Sequence, residues 1–150
     1  VTDIIIRTTT LSDAEIISEF NQLMAMETEN KKLPQKVIDS GVRRLMQKPE
    51  YGFYLVAEID NQTAGTCMVT KEWSDWRDGL FWWVQSVYVK TDFRKQGVYT
   101  AMYNKIRSLA AAEPDVYGFR LYVEKDNVIA QKTYESLGMK ATDYLLYESV

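Results

Sequence analysis

Phe81-Trp82-Trp83-Val84-Gln85-Ser86-Val87-Tyr88-Val89-Lys90-Thr91-Asp92-Phe93-Arg94-Lys95-Gln96-Gly97-Val98-Tyr99-Thr100 is the stretch on which the reading of this chain turns. Its first nine residues read as a strand that is apolar on both sides. Phe81, Trp83, Val87 and Val89 fall on one face, Trp82, Val84 and Tyr88 on the other, and Gln85 and Ser86 are the polar exceptions. Such a strand is expected at the centre of a sheet covered on both faces. A basic turn follows, then helical spacing from about Val98 to Ala112, with Ala101, Met102, Ile106 and Leu109 on one side. A strand that feeds a basic turn and a helix start is an anion site in physical terms. The first N–H groups of a helix lack partners within it, and the helix dipole adds positive charge there. Gly97 lets a ligand come close to the backbone, Arg94 and Lys95 add full charge, and Thr100 adds a hydroxyl. The segment is neither a G-x-x-x-x-G-K-[ST] loop nor a dinucleotide fingerprint, and taken alone it also reads as a solvated helix start.

Working outward, Ile4-Ile5-Ile6 reads as a first strand and Ser12-Asp13-Ala14-Glu15 as a capping box. Ile16, Ile17, Phe20, Leu23 and Met24 keep helical spacing behind it. A second helix starts near Leu33-Pro34 and buries Val37, Ile38, Val42, Leu45 and Met46. Strands are expected over Phe53 to Ile59 and Thr63 to Thr70, joined by a tight turn at Asp60-Asn61-Gln62. Downstream, Phe119 to Val123 reads as a strand, Asn127 to Leu137 as a short helix closed by Gly138, and Tyr144 to Tyr147 as a last strand. The expected order is β-α-α-β-β-β-α-β-α-β, an α/β (α+β) layer fold with a mixed, mostly antiparallel sheet.

Length and composition narrow the chemistry. Residues 1–150 are expected to form a single domain, and 46% apolar with 26% charged residues is the balance of a globular protein. The net charge is −3, against a basic nucleic-acid binder and compatible only with a local basic patch. The chain has no histidine, which removes Ser-His-Asp and Cys-His catalysis and any His-ligated metal. Cys67 is the only cysteine, so no internal disulfide or cysteine metal cluster is expected. A lone reduced cysteine, no long apolar run and no leader suit a cytoplasmic protein that does not enter a membrane. Proton transfer must then fall to Tyr, Glu, Asp, Lys, Cys, water or backbone.

A second motif, Asn127-Val128-Ile129-Ala130-Gln131-Lys132-Thr133-Tyr134, places Asn127 and Tyr134 on one face of a helix with Ala130 between them. With it, the chain resembles the GNAT superfamily of acyl-CoA-dependent N-acetyltransferases. Arg94-x-x-Gly97-x-Tyr99 is similar to that family's pyrophosphate loop, and Asn127-x-x-Ala130-x-x-x-Tyr134 to its second helical motif. The likeness is specific over about residues 81–139 and elsewhere extends to element order. Tyr99 departs from the pattern, standing where the family usually has Gly or Ala.

The resemblance implies a single-domain GNAT-like fold in which the central strands splay and helices lie on both faces. It implies acetyl-CoA as cosubstrate and no metal. Pantetheine would lie along the main chain of Val87 and Val89, with the pyrophosphate on Lys95, Gln96, Gly97, Val98, Tyr99 and Thr100 beside Arg94. Asn127 would hydrogen-bond the pantetheine region, and Tyr134 would sit near the thioester sulfur. A tyrosine hydroxyl of pKa near ~10 stays protonated at neutral pH and can protonate the leaving thiolate. For the general base, the central strand offers Trp83 and Gln85 where some relatives have a carboxylate. Glu72 is the first candidate, then Glu27 and Glu29, each of which also reads as a solvated charge. All four tryptophans lie between Trp73 and Trp83, as an acceptor wall or as hairpin or dimer packing. The expected reaction is acetyl transfer to a small-molecule amine by direct attack in a ternary complex, with a homodimer plausible by the same resemblance. A peptide or protein amine, a non-catalytic acyl-CoA sensor of the same fold and an unrelated anion-binding module are the alternatives.

Overall fold

The computed structural model describes residues 3–150. Its elements are β1 (Ile5–Thr8), α1 (Ala14–Glu29), α2 (Gln35–Met46), β2 (Gly52–Ile59), β3 (Gln62–Ser74), β4 (Gly79–Val89), α3 (Val98–Ala111), β5 (Val116–Arg120) and α4 (Val128–Ser136). The strands form one sheet in the order β1-β2-β3-β4-β5, antiparallel throughout except for the parallel pair β4–β5. A parallel neighbour needs a crossover, and α3 supplies it.

Local chemistry explains the joints. Asp60 and Asn61 both take left-handed φ, 49° and 62°, which is how two residues turn a hairpin with the twist of its strands. Pro34 stands just outside α2, where its missing N–H is harmless. The capping box closes on Thr10 and Asp13, two residues before the expected position, across a single 3-10 turn. Asp13 also takes both terminal nitrogens of Arg7 at 2.9 Å, and Arg7 Nε reaches Glu58 at 2.8 Å. One arginine thus ties β1, the start of α1 and β2. The guanidinium of Arg7 holds the Asp13 carboxyl below its usual pKa.

The sheet is packed on both faces. Leu55, Ala57, Val69, Trp82 and Val84 meet Val98, Met102 and Ile106 of α3. On the other face Tyr54 and Val56 meet Ile17 of α1 and Val42 of α2.

Three expectations change. The face assignment of β4 fails at Ser86, which takes φ 50° and bulges where the β3–β4 register shifts. One extra residue reverses the alternation of side chains. Phe81, Trp83 and Gln85 therefore share a face with Tyr88, whose ring meets Phe20 of α1 at 5.2 Å, while Val87 and Val89 join Trp82 and Val84 on the α3 side. The fifth strand is Val116–Arg120, not Phe119 to Val123. Its pairing with β4 ends at Trp83 opposite Arg120, and beyond that point the two segments part, so 121–123 have no neighbour to ladder with. Tyr144 to Tyr147 form no strand for the same reason: nothing pairs with them. A strand exists only as part of a ladder.

Candidate active site

The parting of β4 from the segment after β5 opens a cleft of about 460 Å³. Val87 and Val89 line it from β4, Tyr99 from α3, and Ala130, Thr133 and Tyr134 from α4. Met24, Glu27 and Thr28 reach it from α1, and Tyr88 and Arg94 complete the lining.

At one end of the cleft the chain turns from β4 into α3. Lys95 and Gly97 both have left-handed φ, 62° and 82°. A β-carbon built on Gly97 would meet nothing within 4 Å, so the space above this backbone is open. The first backbone bond into α3 runs from Ala101 N–H to Gly97 carbonyl at 3.0 Å. Among the described residues, the N–H groups of 95–100 go to no protein acceptor. Successive N–H groups in a turn with left-handed residues form a concavity suited to an anion, and the α3 dipole reinforces it. The backbone therefore fits a pyrophosphate at Lys95, Gln96, Gly97, Val98, Tyr99 and Thr100.

Arg94 sits differently from its neighbours. Its Nε donates to the Val89 carbonyl at 2.7 Å, a terminal nitrogen pairs with Glu27 at 2.8 Å, and its guanidinium carbon lies 5.4 Å from the centre of the Tyr88 ring. The side chain thus fastens the turn to the end of β4 and to α1. Tyr88 donates its hydroxyl to the other oxygen of Glu27. These two bonds, Tyr88 first and Arg94 second, hold the Glu27 carboxyl below its usual pKa. Burial, helped by Glu27, pushes the Tyr88 hydroxyl up. Glu27 was a secondary candidate in sequence, but its partners were not foreseeable, since Arg94 is 67 residues away.

On the opposite wall, Tyr134 stands in the cleft with its ring edge-on to Tyr99, centroids 5.4 Å apart. Burial raises the pKa of Tyr134, so its proton is held more firmly than in water. Tyr99 explains why a large residue is tolerated in the loop. Its ring stacks on Tyr103 at 6.2 Å and its hydroxyl is buried, so the side chain points inward and leaves the N–H free.

Asn127 has a structural task that its spacing did not reveal. Its Oδ1 accepts the Ala130 N–H at 3.1 Å and caps α4. The amide nitrogen stays available, but Asn127 does not line the cleft beside Tyr134.

Glu72 also lies outside the cleft. Its Oε1 accepts from Trp83 Nε1 at 2.8 Å and pairs with Arg120 at 3.0 Å. Together with Gln85, bonded to Thr70 at 2.6 Å, these residues form a polar and aromatic floor on the α1–α2 side of the sheet. The tryptophans divide. Trp82 is core, Trp83 belongs to this floor, and Trp73 and Trp76 are exposed on the β3–β4 hairpin. Among the described residues, no cluster of three His, Cys, Asp or Glu side chains is placed to hold a metal. Among the described residues, no helix is long and apolar enough to cross a membrane.

The profile of the Acetyltransferase (GNAT) family matches residues 17–139. A protein described as a possible acetyltransferase from Clostridium difficile 630 is 40% identical, with 98% of this chain and 97% of that one covered and a TM-score of 0.90. A predicted acetyltransferase with acetyl-CoA from Clostridium acetobutylicum shares the fold at 16% identity, over 98% and 96% of the chains, with a TM-score of 0.79. AAC(6')-Iy, in complex with the bisubstrate analog CoA-S-monomethyl-acetylneamine, shares it at 14% identity, over 99% and 98%, with a TM-score of 0.82. No curated protein matches the chain in sequence.

Proposed function

The chain belongs to the GNAT acetyltransferase family, and from that premise we propose that it transfers acetyl from acetyl-CoA to an amine by direct attack in a ternary complex. The observation that carries this reading is the pairing of unpartnered N–H groups at residues 95–100 with a half-buried phenol, Tyr134, across one cleft. The first fits a pyrophosphate and the second a leaving sulfur.

In this reading the turn before α3 holds the pyrophosphate through its backbone, with Lys95 and Thr100 beside it. Arg94 acts through its grip on Val89 and Glu27, keeping the turn in shape. Val87 and Val89 border the pantetheine arm, and the amide nitrogen of Asn127, whose oxygen caps α4, is left free to bond it. The amine nitrogen attacks the thioester carbon. As the C–N bond forms and the C–S bond breaks, Tyr134 gives its proton to the departing sulfur and later recovers one from solvent. A strand N–H beside the carbonyl oxygen steadies the developing negative charge. No acyl-enzyme is needed, and burial pushes the Cys67 thiol up to about 12, which disfavours it as a nucleophile.

The amine must also lose a proton. Glu27 shares the cleft, but Tyr88 and Arg94 stabilise its charge and make it a poor base. Glu72 has one oxygen not taken by Trp83 or Arg120, and we assign it the proton, received through water along the Gln85 floor. The floor sets aromatic faces beside a single carboxylate, and suits a small molecule. Cytoplasmic action and a homodimer belong to the same proposal.

The test is release of CoA thiol from acetyl-CoA against pooled polyamines, amino acids, aminoglycosides and short peptides. A pool that exceeds the protein-free control supports transfer. Silence from all pools, with acetyl-CoA binding intact, would replace it with a non-catalytic acyl-CoA module.

A further inference from the structure

The helix that carries Tyr134 is lightly held. No residue of α4 is fully buried, and Val128 and Ile129 face solvent. Among the described residues, the side-chain hydrogen bonds along α4 stay within 124–136, so none ties it to α3 or to the sheet. The Tyr134 hydroxyl itself has no partner within the protein: burial alone accounts for its raised pKa. Nothing polar aims this phenol. Its aim depends on packing, through Leu137 and Met139 just past the helix and through the Tyr134 ring.

That ring rests on Tyr99, the second residue of α3. The two centroids are 5.4 Å apart and the planes meet at 62°. Edge-to-face contact is directional, because the positive edge of one ring meets the negative face of the other. Tyr99 is itself fixed from behind. Its ring stacks on Tyr103 at 6.2 Å, with planes only 15° apart. Tyr103 is buried and meets Phe119 of β5 edge-on at 5.8 Å. A row of aromatic rings thus runs from the sheet, through α3, to the phenol in the cleft. The Tyr99 hydroxyl is buried without a partner, so the ring alone makes the contact.

We propose that Tyr99 is a positioning residue, whose ring edge holds α4 against the cleft and fixes where the Tyr134 phenol stands. The role belongs to the side chain and not to the turn beneath it. Residue 99 is where the chain departs from the Gly or Ala usual in the family, and the N–H offered to a pyrophosphate is present whatever the side chain. The consequence for turnover rests on the acetyl-transfer reading, in which Tyr134 must reach a departing sulfur within hydrogen-bond distance. A proton donor displaced by a fraction of its own reach loses rate steeply, while a cofactor held by backbone elsewhere in the cleft keeps its affinity. Tyr99 touches no reacting atom. It acts through Tyr134.

The test uses the full chain and has two arms. In the first, Tyr99→Ala keeps the backbone N–H, so kcat should fall about 10-fold while acetyl-CoA affinity by calorimetry stays within about twofold. Tyr99→Phe loses only the partnerless hydroxyl and should recover most of that rate. In a Tyr134→Phe background, Tyr99→Ala should cost no further rate, because the proton it places is gone. Tyr99→Leu, which keeps apolar bulk, takes the place of alanine if that variant does not fold. The second arm is amide hydrogen exchange without acetyl-CoA. The α4 amides should exchange faster in Tyr99→Ala, and at the wild-type rate in Tyr99→Phe. Unchanged α4 exchange overturns the proposal. So does a phenylalanine variant as slow as alanine, or a full additional loss in the Tyr134→Phe background. A full rate in Tyr134→Phe alone would overturn the acid reading instead, and the exchange arm would still decide whether Tyr99 holds α4.

Discussion

Tyr99 and Tyr134 meet edge to face, with ring planes at 62°, and so join the helix that follows the basic turn to the helix that carries the phenol. The pair sets how far apart the two halves of the proposed chemistry stand. Burial is what raises the Tyr134 pKa, so the phenol keeps its proton to higher pH than a free tyrosine does.

Tyr134→Phe should keep this contact and lose the proton. Turnover is expected to fall by about 100-fold with acetyl-CoA affinity unchanged within about twofold. In the wild type, the loss of rate that follows ionisation of the phenol should come at higher pH than a free tyrosine would give. Steady-state kinetics across pH, with calorimetry for the cofactor, read both. An unchanged rate in Tyr134→Phe removes the acid role.

Gly97 has left-handed φ and open space above it. Gly97→Glu places a negative charge beside the proposed pyrophosphate and should weaken acetyl-CoA by at least about 100-fold. Gly97→Ala should destabilise the fold by about 1 kcal/mol through backbone strain alone. Calorimetry showing equal affinity for Gly97→Glu and wild type would move the phosphate elsewhere.

Glu27→Gln separates the grip on Arg94 from the fold as a whole. The Glu27 pKa is lowered in the folded state by Tyr88 and Arg94. Its contribution to stability is therefore full above its unfolded value near ~4.3 and is lost as pH falls through the lower folded value. The melting difference between wild type and Glu27→Gln should be present at pH 7 and shrink in acid. A difference that grows in acid would contradict the assigned partners.

Asp13→Ala removes both bonds from Arg7 and the cap on Thr10. The expected loss is about 2 kcal/mol in denaturant unfolding, with the remaining Arg7–Glu58 pair limiting the damage. A loss below about 0.5 kcal/mol would mean the pair behaves as an ordinary surface ion pair.

Glu72→Gln keeps a hydrogen-bond acceptor for Trp83 and Arg120 while ending any role as a base. The rate should fall at neutral pH and recover in part at alkaline pH, where more of the amine is already neutral. A pH profile identical to wild type would leave the proton to solvent.

Much of this could be read from residues that act locally. The Asp60-Asn61 turn, the Gly138 cap and the basic turn at 94–97 are each decided within a few positions, and all three occur as expected. What depends on a distant partner was hidden. Arg94 gave no sign that it would turn to Glu27, nor Glu72 that it would be shared by Trp83 and Arg120. Strands at 121–123 and at Tyr144 to Tyr147 have suitable side chains, yet pairing is a property of two segments, and one was missing in each case. The capping role of Asn127 escaped notice because a helix cap and a ligand contact call for the same residue type.

Ser86 carries a consequence of another kind. Because it is the extra residue in β4, everything after it keeps its orientation only by count. Substituting Ser86 changes one side chain. Deleting it would remove the bulge and leave a regular strand in which Val87 and Val89 still face α3 and Tyr88 still faces α1. Straightening the strand with Ser86 retained would do the opposite, turning Val87 and Val89 toward α1 and Tyr88 toward α3, and so stripping Glu27 of its phenol and the cleft of its aliphatic wall at one stroke. The strand can therefore spare this one residue more easily than it can lose the bulge that accommodates it.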